Sequence, residues 1–232
     1  MTVTAADVTV AQIAKVIDHS LLKPEMTVDE VLAGCELAAR YDTASVCCRP
    51  VDVVRCVRAL SGTDVAVGTV IGFPHGSNLT ATKAFEAERA MEQGATELDM
   101  VLQIGLLRSG LIDEVQADIA AVVAVGGDTA IVKVILENAY LTDDEKVAAC
   151  HAVEAAGAAY VKTSTGFAPS GATLDDLKLM RATVSPQVKV KAAGGVRTLD
   201  ALIDCLNVGI DRCGATATAA IVDELRARHA SA

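Results

Sequence analysis

The chain has 232 residues and a net charge of −10 at neutral pH. That length suits one large domain or two small ones, and the acidity excludes a general nucleic-acid binder, which needs a basic stripe. Hydrophobic residues make up 52% and aromatics 3%, without Trp, so an aliphatic, alanine-rich core is expected and no apolar run approaches the ~20 residues of a membrane span.

In chain order, residues 1–9 read as a loose tail and 10–16 as a short leading helix. Residues 16–20 read as a strand ending in polar groups. A helix over 27–40 follows, with Thr27 as N-cap and Glu30 three residues on, a capping box. Residues 44–48 form the next strand, closed by Arg49-Pro50, and 50–60 a helix with proline in its first turn. The strand 65–72 leads into Phe73-Pro74-His75-Gly76, and the helix 79–93 ends at Gly94. Strand 97–101 precedes a helix within 110–126, and strand 130–137 precedes the helix 142–156. Then come a strand ending at Lys162, the helix 174–183, a strand ending at Lys191 and the helix 198–207. A short strand, 211–213, precedes Gly214 and a last helix to His229.

This alternation gives eight strand–helix units at the spacing a (β/α)8 barrel requires. A doubly wound open sheet is the competing architecture, but no G-x-G-x-x-G turn follows the first strand. No linker of Pro, Ser or Gly divides the chain, so residues 1–232 read as a single domain.

Active sites of such barrels form at the C-terminal ends of the strands. Two stretches there share one form, Tyr160-Val161-Lys162-Thr163-Ser164-Thr165-Gly166 and Val188-Lys189-Val190-Lys191-Ala192-Ala193-Gly194-Gly195. Each ends a short strand in a lysine and a glycine turn. Side-chain alternation puts Tyr160, Lys162 and Ser164 on one face. For Lys162 alone, an edge lysine in water is the bland alternative. Two facing lysines have a chemical use, because an amine attacks a carbonyl only when neutral. From a reference pKa of about 10.4, a second ammonium at about 4 Å contributes roughly 4 kcal/mol at an effective dielectric of about 20. That is about three pKa units.

Other strand ends offer Asp18, Ser20, Cys47, Asp99, Lys133 and Glu137. Lys133 pairs with Glu137 or with Glu97 on the structural reading. Lys189 lies one step deeper, as an ion-pair member or at the barrel bottom. Cys47 is more often a small buried apolar residue than a nucleophile. His75 reads as turn structure, and His19, of opposite parity to Asp18, falls outside the site. The seven cysteines include no C-x-x-C, so spacing indicates neither zinc nor a redox motif. Their odd number, with no basic leader before an apolar run, predicts reduced thiols and a cytoplasmic location.

A phosphate reading rests on the last two turns. Gly194-Gly195 ends the seventh strand, and Gly214-Ala215-Thr216-Ala217 opens the final helix on this reading. Glycines admit an anion to backbone N–H groups, and a helix N-terminus favours it. Tight turns without a ligand remain the alternative.

Five motifs carry a family resemblance. They are Ile17-Asp18-His19-Ser20-Leu21-Leu22-Lys23-Pro24, Gly72-Phe73-Pro74-His75-Gly76, Glu97-Leu98-Asp99-Met100-Val101, Val161-Lys162-Thr163-Ser164-Thr165-Gly166-Phe167 and Val190-Lys191-Ala192-Ala193-Gly194-Gly195-Val196-Arg197. In this order, from about residue 10 to about residue 228, the chain resembles the deoxyribose-phosphate aldolase family. The resemblance implies a (β/α)8 barrel and reversible cleavage of 2-deoxy-D-ribose 5-phosphate to D-glyceraldehyde 3-phosphate and acetaldehyde, through a lysine Schiff base without metal or cofactor. It places the Schiff-base lysine on Lys162, its partner lysine on Lys191 and the proton-relay aspartate on Asp99, with Asp18 as a further polar residue. Substrate and phosphate fall to Ser164, Gly166, Gly194, Gly195, Gly214, Ala215 and Thr216. Ala215, Thr216 and Ala217 stand where family members often carry serines, so backbone contacts to phosphate are expected to dominate. Ser20 replaces a frequent threonine. Ser231-Ala232 offers no tail tyrosine.

Asp99 is expected nearer Lys191 than Lys162, in a proton network with Asp18. Two alternatives remain. One is another Schiff-base barrel, such as a transaldolase-like enzyme or a different sugar-phosphate aldolase. The other is a barrel that binds sugar phosphate without turnover. The expected partners are a sugar phosphate and an aldehyde, neither nucleic acid nor membrane, with a homodimer left open.

Overall fold

The computed structural model describes residues 2–231; the first and last residues, included in the single-domain reading, lie outside them. The described residues form eight parallel strands closed in sequence order into a barrel. They are β1 Ile17–Leu21, β2 Ser45–Cys48, β3 Ala66–Ile71, β4 Glu97–Val101, β5 Ile131–Ile135, β6 Tyr160–Lys162, β7 Lys189–Ala193 and β8 Arg212–Ala215. After α1 Val10–Ala14, the surrounding helices are α2 Val28–Tyr41, α3 Val53–Ala59, α4 Thr80–Glu92, α5 Ile104–Arg108 and α6 Ile112–Gly126. The remainder are α7 Asp143–Ala155, α8 Leu174–Thr183, α9 Leu199–Asn207 and α10 Thr218–Ala230. No described helix is long and apolar enough to cross a membrane.

Local chemistry sets several boundaries. Thr27 Oγ1 accepts from Glu30 N–H at 3.3 Å, and the Glu30 carboxylate accepts from Thr27 N–H at 2.7 Å. This reciprocal box satisfies two of the otherwise orphan donors at the start of α2. Thr142 and Glu145 repeat it before α7.

Four expectations change. The segment 2–9 is tied down, because Asn207 bonds both backbone groups of Val3, at 2.7 and 2.9 Å. The helix expected over 50–60 begins as a 3-10 turn, Pro50–Asp52, before α3. A short helix, α5, precedes α6; its five residues are too few for a periodicity signal. Gly214 and Ala215 belong to β8, and α10 starts only at Thr218.

The strands are buried on both faces, as parallel sheets require, but the two faces differ. In β4, Leu98 and Met100 join the apolar layer under the helices. Glu97 and Asp99 alternate with them and meet other charged side chains inside the barrel. The barrel interior is thus ionic, and the apolar core lies around it.

Candidate active site

Strand register assembles the interior charges. Asp99 lies beside Lys133, Lys162 beside Lys191, and Lys191 beside Arg212. Asp99 Oδ2 stands 2.7 Å from Lys162 Nζ and 2.7 Å from Lys191 Nζ, while its Oδ1 accepts from Lys133 at 2.9 Å. Asp18 Oδ2 is 2.6 Å from Lys191. Its Oδ1 accepts from Arg212 and, at 2.8 Å, from the Ser45 hydroxyl. Glu97 joins Lys133 at 2.5 Å and Arg212 at 3.1 Å. Asp99 is therefore equidistant from the two lysines, not nearer Lys191, because one oxygen bridges neighbouring strands. Lys133 takes Glu97 and Asp99 as partners and leaves Glu137 out.

The charges inside the barrel do not match one for one, and the surroundings of each lysine differ. Besides Lys162, the connected cluster holds the carboxylates of Asp18, Glu97 and Asp99 and the cations Lys133, Lys191 and Arg212. With Lys162 charged as well, four cations would face three carboxylates, so a neutral form of one lysine is favoured. A buried unbalanced charge is costly. Burial pushes the Lys162 pKa down, Asp99 opposes this, and Lys191 adds to the depression. Burial, more than the neighbouring ammonium, is the leading cause. Burial acts on Lys191 too, but Asp18 and Asp99 outweigh it and hold Lys191 well above the usual lysine range. Asp99 stays far below the usual carboxylate range because Lys133, Lys162 and Lys191 together outweigh its burial. Burial raises the Cys47 thiol to about 11, so it is a protonated filler at neutral pH.

Above the cluster opens a cavity of about 790 Å³. Lys162 borders it, while Lys191 lies beneath. Gly166, Gly194, Gly195, Gly214, Ala215 and Thr216 line it as expected, along with Ser20. Gly194 and Gly195 have φ of 80° and 92°, a region that favours glycine. A Cβ on Gly195 would meet nothing within 4 Å, so its backbone is open to the cavity side. Gly214 lines the cavity and also neighbours the buried cluster. A Cβ there would lie 3.6 Å from Lys191 Cε and 3.4 Å from Ala193 Cβ, ordinary contact distances, so Gly214 packs directly over the lysine stem. The Ser164 hydroxyl is buried and has no protein partner. His19 turns from the ionic cluster to Thr218 Oγ1, 2.9 Å away, and burial lowers its pKa to about 4. It borders an outer part of the cavity all the same. His75 is an exposed turn residue. Lys189, at the opposite end of β7, is exposed with its Nζ 5.7 Å from the Tyr160 ring centre.

Several lining residues carry no assignment from the sequence. Lys23 and Arg197 line the cavity together with Glu25 and Glu30, so the lining carries both signs of charge. Phe167 packs edge-on against Phe73 with ring centres 5.4 Å apart, joining the loops after β6 and β3. Arg49 donates to the carbonyls of Lys23, Pro24 and Met26, fixing the loop after β1. Arg197, Lys23 and Phe167 all lie inside the five motifs. Arg212 shares its strand face with Gly214, the one signal that could have found it.

A closed barrel with a buried, depressed lysine at its mouth, above a second lysine held as a cation, defines a class of barrel suited to amine activation of carbonyl compounds. Residues 3–220 match the family described as DeoC/LacD family aldolase. A deoxyribose-phosphate aldolase of Lysinibacillus sphaericus is 50% identical, over 91% of this chain and 95% of its own length. One of Clostridium kluyveri is 46% identical, over 92% and 98%. A crystal structure of a putative deoxyribose-phosphate aldolase from Coccidioides immitis superposes with a TM-score of 0.91 at 42% identity, covering 94% of this chain and 87% of that one. The chain belongs to the DeoC/LacD aldolase family.

Proposed function

We propose that this chain is a lyase that reversibly cleaves 2-deoxy-D-ribose 5-phosphate to D-glyceraldehyde 3-phosphate and acetaldehyde, with Lys162 as the Schiff-base nucleophile. The relatives' shared activity and the family match support the reaction. One observation carries the choice of lysine: of the two that share Asp99 Oδ2, Lys162 borders the cavity and Lys191 does not.

Neutral Lys162 attacks the aldehyde carbon of the open-chain sugar. Loss of water from the carbinolamine leaves a protonated imine. That imine accepts the electron pair of the bond between carbons 2 and 3 as it breaks. The proton of the carbon-3 hydroxyl leaves at the same time, and D-glyceraldehyde 3-phosphate departs. The enamine left on Lys162 is protonated at carbon 2 and hydrolysed to acetaldehyde and free amine. Asp99, Lys191 and a bound water form the proton relay of this reading. Asp99 alone is too weak a base, since three neighbouring ammonium or amine groups stabilise its carboxylate. Lys191 supplies an exchangeable proton next to it. The phosphate is held at the backbone of Gly194, Gly195 and Thr216, which line the cavity as turn N–H groups suited to an anion. All seven cysteines are buried and free, which suits work in the reducing cytoplasm.

Borohydride reduction in the presence of acetaldehyde tests this directly. Peptide mass spectrometry should find an ethyl adduct on Lys162, absent from Lys162→Ala, which should also lack turnover. An adduct on Lys133 or Lys191 instead would reassign the nucleophile. No adduct on an active enzyme would remove the Schiff base altogether.

A further inference from the structure

Glu137 is a buried carboxylate that the reaction above leaves unused. It lies just beyond β5 in a left-handed backbone conformation, with φ of 56°, and is 2% exposed. Its Oε1 accepts from the Thr165 backbone N–H at 3.1 Å, and its Oε2 accepts from the Thr165 hydroxyl. Thr165 Oγ1 also accepts from Phe167 N–H at 3.0 Å. Thr165 lines the cavity with Lys162 and Gly166.

A hydroxyl has one proton and two lone pairs. At Thr165 the proton is committed to Glu137 and one lone pair to Phe167, which leaves a single lone pair. The backbone prevents an easy escape from this arrangement. Leu136 N–H donates to Lys162 O at 2.9 Å and Asn138 N–H to Thr163 O at 3.0 Å, holding the segments on either side of Glu137 against the end of β6. Burial raises the Glu137 carboxyl, against the two hydrogen bonds from Thr165 and the nearby Lys162 amine. A neutral side chain could have anchored the loop without that desolvation.

We propose that Glu137 is a positioning residue that sets the hydrogen-bond polarity of the cavity wall: it makes the Thr165 hydroxyl an acceptor, matched to a donating hydroxyl of the bound sugar. This rests on the aldolase reading. The sugar carries hydroxyls on carbons 3 and 4 in its open form, whereas acetaldehyde carries none. Sugar cleavage therefore depends on the polarity at Thr165, and imine formation with acetaldehyde does not.

Glu137→Gln separates polarity from anchoring. The glutamine oxygen still accepts from Thr165 N–H, but its NH2 now donates to Thr165 Oγ1 and turns the threonine proton elsewhere. We expect kcat/KM for 2-deoxy-D-ribose 5-phosphate to fall about 10- to 100-fold, the range for a hydrogen bond to a charged network. Borohydride trapping of acetaldehyde on Lys162 should change less than about threefold. In a Thr165→Val background, which has no hydroxyl to orient, Glu137→Gln should add no further loss. Equal losses in both reactions, a loss in neither, or the same loss in the valine background would overturn the proposal. A Glu137→Gln protein that fails to fold, or melts lower with both activities reduced, assigns Glu137 to loop anchoring and overturns it too. Failure of the aldolase reading shows differently, as a wild-type protein that neither traps acetaldehyde nor cleaves the sugar.

Discussion

The barrel interior and the barrel rim solve opposite problems. Inside, side chains from β1, β4, β5, β7 and β8 are locked into ion pairs, with Lys133 at 2.5 Å from Glu97 and Lys191 at 2.6 Å from Asp18. Every charge there has a partner, and strand register dictates which one. At the rim, glycine turns stand among polar and charged side chains. Gly166, Gly194 and Gly195 all have positive φ, and none of the three carries a side chain that could fill the cavity. Lys162 sits on the boundary, with one foot in each region. The difference teaches that the interior sets protonation and the rim sets recognition, so damage to the two should look different.

The largest contrast lies between two lysines of the same ionic cluster. Lys133→Met should destabilise the protein by about 3–5 kcal/mol, because Glu97 and Asp99 lose a shared cation in a buried site. Lys162→Met should abolish turnover yet leave stability within about 1 kcal/mol, since it replaces a neutral amine in a balanced cluster. Denaturant unfolding reads both. A large stability loss in Lys162→Met would mean that Lys162 is charged in the resting protein.

Lys191→Met sharpens the boundary itself. Removing a cation beside Lys162 favours its charged form, so the Lys162 pKa rises and the neutral fraction at a given pH falls about tenfold per unit. The pH profile of acetaldehyde trapping should move upward by less than about three units, because burial remains and is the larger cause of the depression. An unmoved profile would confine Lys191 to proton transfer.

The smallest effect belongs to the rim. Thr216→Ala should lower kcat/KM for the phosphorylated sugar by less than about threefold, the low end for one neutral hydrogen bond. A larger loss, specific to the phosphorylated substrate, would show that the side-chain hydroxyl shares the phosphate with the backbone.

Most of the architecture was legible because its signals are local. The capping box at Thr27 and Glu30 fixed the start of α2, and period-two alternation put Tyr160 and Lys162 on one face of β6. Lys162 and Lys191 were legible as a pair because equivalent strand ends are neighbours in a barrel. What stayed hidden depends on distances that strand parity does not encode. A bridging oxygen on Asp99 equidistant from two lysines is set by side-chain reach across three strands. Arg212 looks like an ordinary strand residue until β1 and β4 bring Asp18 and Glu97 to it. Gly214 read as a phosphate glycine, and its packing against Lys191 appears only when β7 and β8 are adjacent. Glu137 follows β5 at a left-handed backbone turn, so alternation pointed it at the wrong partner.

The balanced cluster around Asp99 has a consequence for catalysis beyond keeping the resting amine neutral. In the proposed reaction the protonated imine on Lys162 is positive, and Asp18 and Asp99 already have Lys133, Lys191 and Arg212 beside them. The intermediate thus arrives as surplus positive charge in a region that cannot dilute it with water. Pulling an electron pair from the neighbouring carbon–carbon bond turns it into an uncharged enamine and restores neutrality. On that proposal, the surplus of cations that favours a nucleophilic Lys162 also favours electron flow into its adduct, so one arrangement of fixed charges serves both halves of the reaction.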